Sequence, residues 1–241
     1  MHNLSIRGPE ITYVTDEDLD IDEQQRILTE FIACANQFSL RVAFRIPAWS
    51  DARMSSLMDW YSEQLAKQGL GRYLGNPLVH DRPEIVDLFP DARLWLPWRN
   101  RDLIRAEDDH RFAISVHGHE QAAEAAKLGA RELVFGHVFT SESHPGEPGR
   151  GVASLQTMID QVETLPTPVR LTAIGGMNQY TLPELGRIGF GNVMAMRTIS
   201  RARDIPLTLQ LMHDSWLAAR IAADLPDEQR SPLTRASNLF F

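Results

Sequence analysis

Apolar residues along the chain alternate between two patterns. Compact runs, ITYVTD at Ile11–Asp16, RVAFRIP from Arg41, PLVHD from Pro77, RLWLPW from Arg93, FAISVH from Phe112, ELVFGHVF from Glu132, VRLTAIGG from Val169 and NVMAMRTIS from Asn192, predict strands. Between most of them the spacing relaxes to 3.6 residues and predicts helices. The first starts near Leu19 and carries Ile27, Leu28, Phe31, Ile32 and Ala35 on one face; the second carries Met54, Leu57, Met58, Tyr61 and Leu65. Further helices follow at Pro83–Leu88, at HEQAAEAAKLG up to Gly129, at Val152–Val162 and at Leu182–Ile188. A last amphipathic helix carries Leu207, Leu211, Met212 and Trp216.

About eight strands, so apolar and so regularly separated by helices, predict an α/β fold with a parallel sheet covered on its outside. The count favours closure into a (β/α)8 TIM barrel, one domain over residues 1–241 with an irregular tail from 225. The rival is a doubly wound open sheet, which usually places a glycine-rich turn after its first strand; here that turn is TDEDLD. The tail, ending in Leu239, Phe240 and Phe241, packs on the barrel, packs on a second subunit of a homodimer, or frays.

Composition narrows the partners. No run approaches the roughly 20 apolar residues that span a bilayer, so no membrane partner is expected. MHNLSIRGPE lacks the basic and apolar regions of a secretory signal, and the lone Cys34 has no internal disulfide partner; both fit a cytoplasmic protein. A net charge of −8 disfavours nucleic acid but leaves room for a local basic pocket around a small anion.

In a barrel of this type the C-terminal ends of the strands form the mouth of the active site, which singles out Arg45, Asp81, His117, His137 and the loop after Phe139. Gly175 and Gly176 in AIGGM lack Cβ atoms and let backbone amides approach an anion, or simply form a tight turn leading to Asn178 as an N-cap. At MRTIS, Arg197 either closes a phosphate site, with the amides of Arg197 and Thr198, or extends its guanidinium to solvent. Glycines and arginine on adjacent strands favour phosphate. His117 and His119 lack a third ligand at zinc spacing, and Asp81 is either a Mg2+ ligand or an ion-pair partner of Arg82 or Arg45. His137 is a structural strand-end histidine or a general acid/base, because an imidazole both takes and gives protons near neutral pH. The Pro- and Gly-rich TSESHPGEPGRG after it suits a substrate-covering loop or a plain surface loop.

VHDR, SVHGHEQAAEAAKLGA, FGHVFTSESHPGEPGRG and AIGGM, in this order, resemble the thiamine phosphate synthase/TenI superfamily of (β/α)8 barrels over nearly the whole chain. Gly136-His137-Val138-Phe139 is similar to the TenI branch, where synthases read Gly-Pro-Val/Ile-Phe. The resemblance implies a thiazole tautomerase that aromatises a carboxythiazole phosphate precursor of thiamin by a proton shift. His137 is then catalytic, Arg45, Asp81, Ser115, His117, Ser141 and Ser143 face the substrate, and Gly175, Gly176, Met196, Arg197 and Thr198 hold its phosphate. No cofactor or metal is implied. The alternatives are a Mg2+-dependent synthase and a non-catalytic phosphate-binding regulatory barrel. Against the synthase, Gln-Leu-Arg-Glu-Lys becomes Ala43-Phe44-Arg45-Ile46-Pro47, Asn-Asp becomes His80-Asp81, the second Mg2+-binding Asp falls at Arg99 and Asn100, and Thr-x-Thr-Lys becomes Ser141-Glu142-Ser143-His144. Arg197 also replaces a small residue and the Lys after the second strand is missing, departures from the TenI pattern that bear on the substrate.

Overall fold

A computed structural model describes residues 8–104 and 112–225. Eight strands, β1 (Glu10–Val14), β2 (Ser39–Phe44), β3 (Leu78–His80), β4 (Arg93–Leu96), β5 (Phe112–Val116), β6 (Glu132–Gly136), β7 (Arg170–Ile174) and β8 (Asn192–Ala195), pair in parallel and in sequence order. β8 returns to β1, with Ile11 opposite Val193, so the barrel is closed and the open-sheet rival is set aside. Helices α1 (Ile21–Ile32), α2 (Asp51–Gln68), α3 (Pro83–Leu88), α4 (His119–Lys127), α5 (Gly151–Glu163), α6 (Leu182–Arg187), α7 (Arg197–Ser200) and α8 (Ile205–Asp224) complete the fold. After β4 the polar turn is a short 3-10 helix, Trp98–Leu103. Among the described residues no helix is long and apolar enough to cross a membrane. Residues 226–241 of the tail lie outside the described residues.

The strands read as almost continuously apolar because both of their faces are buried. Alternate residues such as Ile11, Tyr13, Val42, Phe44, Leu133 and Phe135 meet the helices in the outer core. The intervening ones, Val14, Ala43, Leu78, Trp95, Ala113, Val134 and Met194, pack together inside the barrel. Below that layer the interior is ionic. Arg41, 4% exposed, donates from Nη1 to Glu132 Oε2 at 2.7 Å and from Nη2 to Oε1, and Thr172 Oγ1 donates to Glu132 Oε1 at 2.7 Å. Burial alone would raise the Glu132 carboxyl, but its hydrogen bonds and charge pairing with Arg41, helped by Thr172 and Arg170, hold it below the usual carboxylate range. Arg170 closes the network on Glu10.

Three local expectations are corrected. NVMAMRTIS is not one strand: β8 stops at Ala195, Met196 turns the chain (φ −112°, ψ −84°) and RTIS is the four-residue helix α7. The residue before α6 is Thr181, which makes no side-chain cap, whereas Asn178 Oδ1 accepts from the amides of Tyr180 and Thr181 and stabilises the turn before it. In α8 the buried face is Ile205, Leu209, Met212 and Trp216, while Leu207 (54%) and Leu211 (46%) are exposed. Two apolar residues at i and i+4 define a stripe, but only neighbours decide which stripe is covered. Here α6 packs on α8, with Trp216 Nε1 donating to Phe190 O.

Candidate active site at the barrel mouth

A cavity of about 1030 Å³ opens at the C-terminal ends of the strands. It is lined by Arg45, Asp81, Ser115, His117, His137, Ser141, Ser143, Gly175, Gly176, Met196, Arg197 and Thr198, so one depression gathers every residue proposed from the sequence. The closed barrel brings them together: the residues one step beyond each strand's last inward position must ring the mouth.

His137 follows β6 through a cis peptide bond from Gly136. Its Nε2 lies 3.1 Å from Pro148 O, and its ring stacks on His144 with centroids 4.4 Å apart. Gly175 sits directly behind it. At φ +105° Gly175 occupies a backbone region closed to most residues, and a Cβ there would meet His137 Cβ at 2.4 Å. Gly176 is as crowded, since its Cβ would lie 2.5 Å from Thr140 O. The glycine pair therefore serves close packing of β7's end against the His137 segment, with Val138 N donating to Ile174 O and Phe139 N to Gly175 O.

The neighbouring α7 is only four residues long, so any attraction for an anion comes from individual amides and not from a macrodipole. Ile199 N and Ser200 N already donate to Met196 O, which leaves Arg197 and Thr198 as the first amides of the turn. Thr198 Oγ1 is turned the other way and donates to Met177 O. The Arg197 guanidinium neither points freely into the cavity nor simply reaches solvent. It donates to Ser143 Oγ at 3.1 Å and Asp18 Oδ2 at 3.2 Å, and with Arg201 and Glu142 it fastens the long loop across the mouth. Arg197 Nε, 3.7 Å from Glu142 Oε2, and Ser141 Oγ are buried without a hydrogen-bond partner among the described residues.

Across the mouth, Arg45 approaches Glu17 at 3.8 Å, with its amide donating to Thr15 Oγ1. Asp81 pairs with neither arginine considered from the sequence. Asn100 Nδ2 donates to its Oδ1 at 2.6 Å, and Arg82 instead binds Asp51 and the carbonyls of Ile46, Pro47 and Trp49. Asp81 and Asn100 meet as carboxylate and amide, and among the described residues no group of three or more His, Cys, Asp or Glu side chains is placed to hold a metal. Asp81 is the single carboxylate of this pair, and its Oδ1 is taken by the Asn100 amide. Ser115 Oγ accepts from Trp95 Nε1 at 3.0 Å, and His80 packs edge-on against the Trp95 ring at 4.6 Å. Burial, then the charges of Arg45, Arg99 and Arg82 against a weaker opposing pull from Asp81, lower the His80 imidazole to about 4.

Two participants were missed from the sequence. His80 stood in VHDR but was weighed only as a replaced Asn. Arg150 stands within the TSESHPGEPGRG loop, where no local pattern marks it: its Nε donates to Gly136 O at 2.9 Å and its Nη1 to His117 O at 3.4 Å. His117 Nδ1 approaches the same Gly136 O at 3.3 Å, while His119 starts α4 instead of joining a metal site.

Residues 99–199, which include β5 to β8 and the loops after β7 and β8, match the sequence model of the thiamine monophosphate synthase (TMP-TENI) family. A thiamine-phosphate synthase of Photorhabdus laumondii is 29% identical over 96 residues, 39% of this chain and 42% of the relative, so the match spans less than half of that protein. In overall structure the chain is similar to a thiamine phosphate pyrophosphorylase of Pyrococcus furiosus, with a TM-score of 0.65, 17% identity and coverage of 89% of this chain and 98% of that one. It is also similar to 3-hexulose-6-phosphate synthase of Salmonella typhimurium, with a TM-score of 0.61, 12% identity and coverage of 86% and 99%. At such identities these two likenesses speak to the fold alone. The chain is thus similar to the thiamine monophosphate synthase (TMP-TENI) family over residues 99–199, and to these solved barrels in its fold.

Proposed function

We propose that the protein is a thiazole tautomerase, an isomerase that aromatises a carboxythiazole phosphate by moving a proton, without metal or cofactor. The observation that carries this reading is the seating of His137 against Gly175, in the same cavity as Gly176, Arg197, Thr198 and the unpartnered Ser141 Oγ. A phosphate held by Ser141 Oγ or the amides of Arg197 and Thr198 keeps the substrate in place while the imidazole works on its ring, and positioning of this kind removes much of a reaction's barrier. Arg45 offers a cation on the far side of the mouth for the substrate carboxylate. The polar loop carrying Ser141 and Ser143 closes over the substrate through Arg197.

A second reading, thiamine phosphate synthase, is favoured by the names of the matching family and of the Photorhabdus relative. It needs offset of a pyrophosphate charge, for which the mouth offers the carboxylate and amide of Asp81 and Asn100 in place of two carboxylates. His137→Ala tests the first reading: turnover of the carboxythiazole phosphate precursor should fall at least about 10²-fold with an unchanged thermal melt. Wild-type turnover in that variant removes His137 from the chemistry, and Mg2+-dependent formation of thiamine phosphate by the wild type replaces the first reading with the second.

A further inference from the structure

Aromatisation by a proton shift breaks one C–H bond and makes another elsewhere in the same molecule. The electron pair released at the first carbon moves through the ring and ends in the new bond, so nothing is oxidised or reduced and one proton taken balances one proton given. A single imidazole completes both halves only if it reaches both carbons.

Of the four imidazoles that line this cavity, those of His117 and His137 have one nitrogen committed in the same way. A carbonyl oxygen only accepts, so the ring nitrogen beside it carries the hydrogen. Pro148 O, 3.1 Å from His137 Nε2, leaves Nδ1 as the acceptor nitrogen of the neutral ring. Gly136 O, 3.3 Å from His117 Nδ1, leaves Nε2 as the acceptor nitrogen there. Arg150 joins the two segments: its guanidinium donates to Gly136 O and His117 O, and its amide donates to His137 O at 3.0 Å. Fixed tautomers on a shared frame are what a pair of proton carriers requires, because neither ring has to turn between turnovers.

We propose that His117 is the second proton-carrying residue of this site, an assignment that rests on the proton-shift reading of His137. One ring takes the substrate proton at its acceptor nitrogen. The other, carrying a solvent-derived proton at its own, delivers that proton to the second carbon. Exchange with water then resets both.

His117→Gln keeps an amide donor for Gly136 O and cannot carry a proton. With the carboxythiazole phosphate precursor, its kcat should fall on the order of 10²-fold and its KM should stay within about threefold. Turnover within about twofold of wild type, or a loss wholly in KM, overturns the assignment. If that variant is silent while His137→Ala is dead, only the relay falls; if the wild type does not turn over the precursor, both fall. Nitrogen-15 spectra of the labelled imidazoles in the wild-type protein test the wiring without turnover. They should place the His117 hydrogen on Nδ1, and a hydrogen on Nε2 alone overturns the proposal.

Discussion

Replacing Gly175 by alanine adds one methyl group at the junction of β7 with the His137 segment, and the structure fixes what it meets. The new Cβ would lie 2.4 Å from His137 Cβ and 2.7 Å from His137 Cα. Ordinary contact begins at 3.4 Å, so one partner has to move by about 1 Å, and neither is the far end of a flexible side chain. The backbone cannot absorb this locally, because φ is +105° and a side chain there is strained by about 1–3 kcal/mol. Overpacking adds about 1–3 kcal/mol. The expected loss of stability is therefore about 2–6 kcal/mol, read as the shift in urea unfolding midpoint at constant slope. Where the fold survives, His137 is displaced from its seat against β7, and a misplacement of about 1 Å costs about 10²-fold in rate. Turnover measured well below the melting temperature separates the two effects. A Gly175→Ala protein with wild-type kcat and wild-type stability would refute the claim that the glycine exists to seat the histidine.

Two further outcomes follow from the buried charges. Glu132→Gln leaves the buried Arg41 with only Glu10, 3.7 Å away, as counter-charge and should destabilise the protein by up to about 3 kcal/mol. In the wild type the Glu132 carboxyl is held low, so its stabilisation is complete above the unfolded carboxylate value of about 4.3 and is lost as pH falls through the lower folded value, which urea melts at acid pH would follow. His80 has the opposite chemistry and the same direction: its imidazole is lowered to about 4, so the unfolded chain binds the extra proton first and stability should decline as pH falls from about 6.5 towards that value. His80→Phe, which keeps a ring against Trp95, should flatten the slope in that window.

The ionic layer at the bottom of the barrel and the mouth at the top were unequally visible in the sequence. Alternation of near-continuous apolar runs with 3.6-period stretches predicts parallel strands covered by helices, because a strand buried on both faces has no polar side to show. Eight such units, together with strand-end polar residues, place Arg45, Asp81, His117, His137 and the glycine and arginine loops at one opening before any coordinates exist. Partnership between those residues was not visible. Arg41 and Glu132 are 91 positions apart and Arg197 and Asp18 are 179 apart, separations at which no local pattern records a contact. The sequence offers Arg82 or Arg45 as the partner of Asp81, but the turn after β4 delivers Asn100 to it.

Residue types and their order along the chain thus determined the elements, the strand count that favours a closed barrel, and most of the residues at its mouth, since periodicity and strand ends are local properties of a polymer in water. Which ring nitrogen of His137 and His117 is free, what occupies Arg197, and why Gly175 can carry no side chain were decided only when β6, β7 and β8 were brought side by side. Hydrogen-bond direction and steric exclusion act over a few ångströms, and only the folded chain sets those distances.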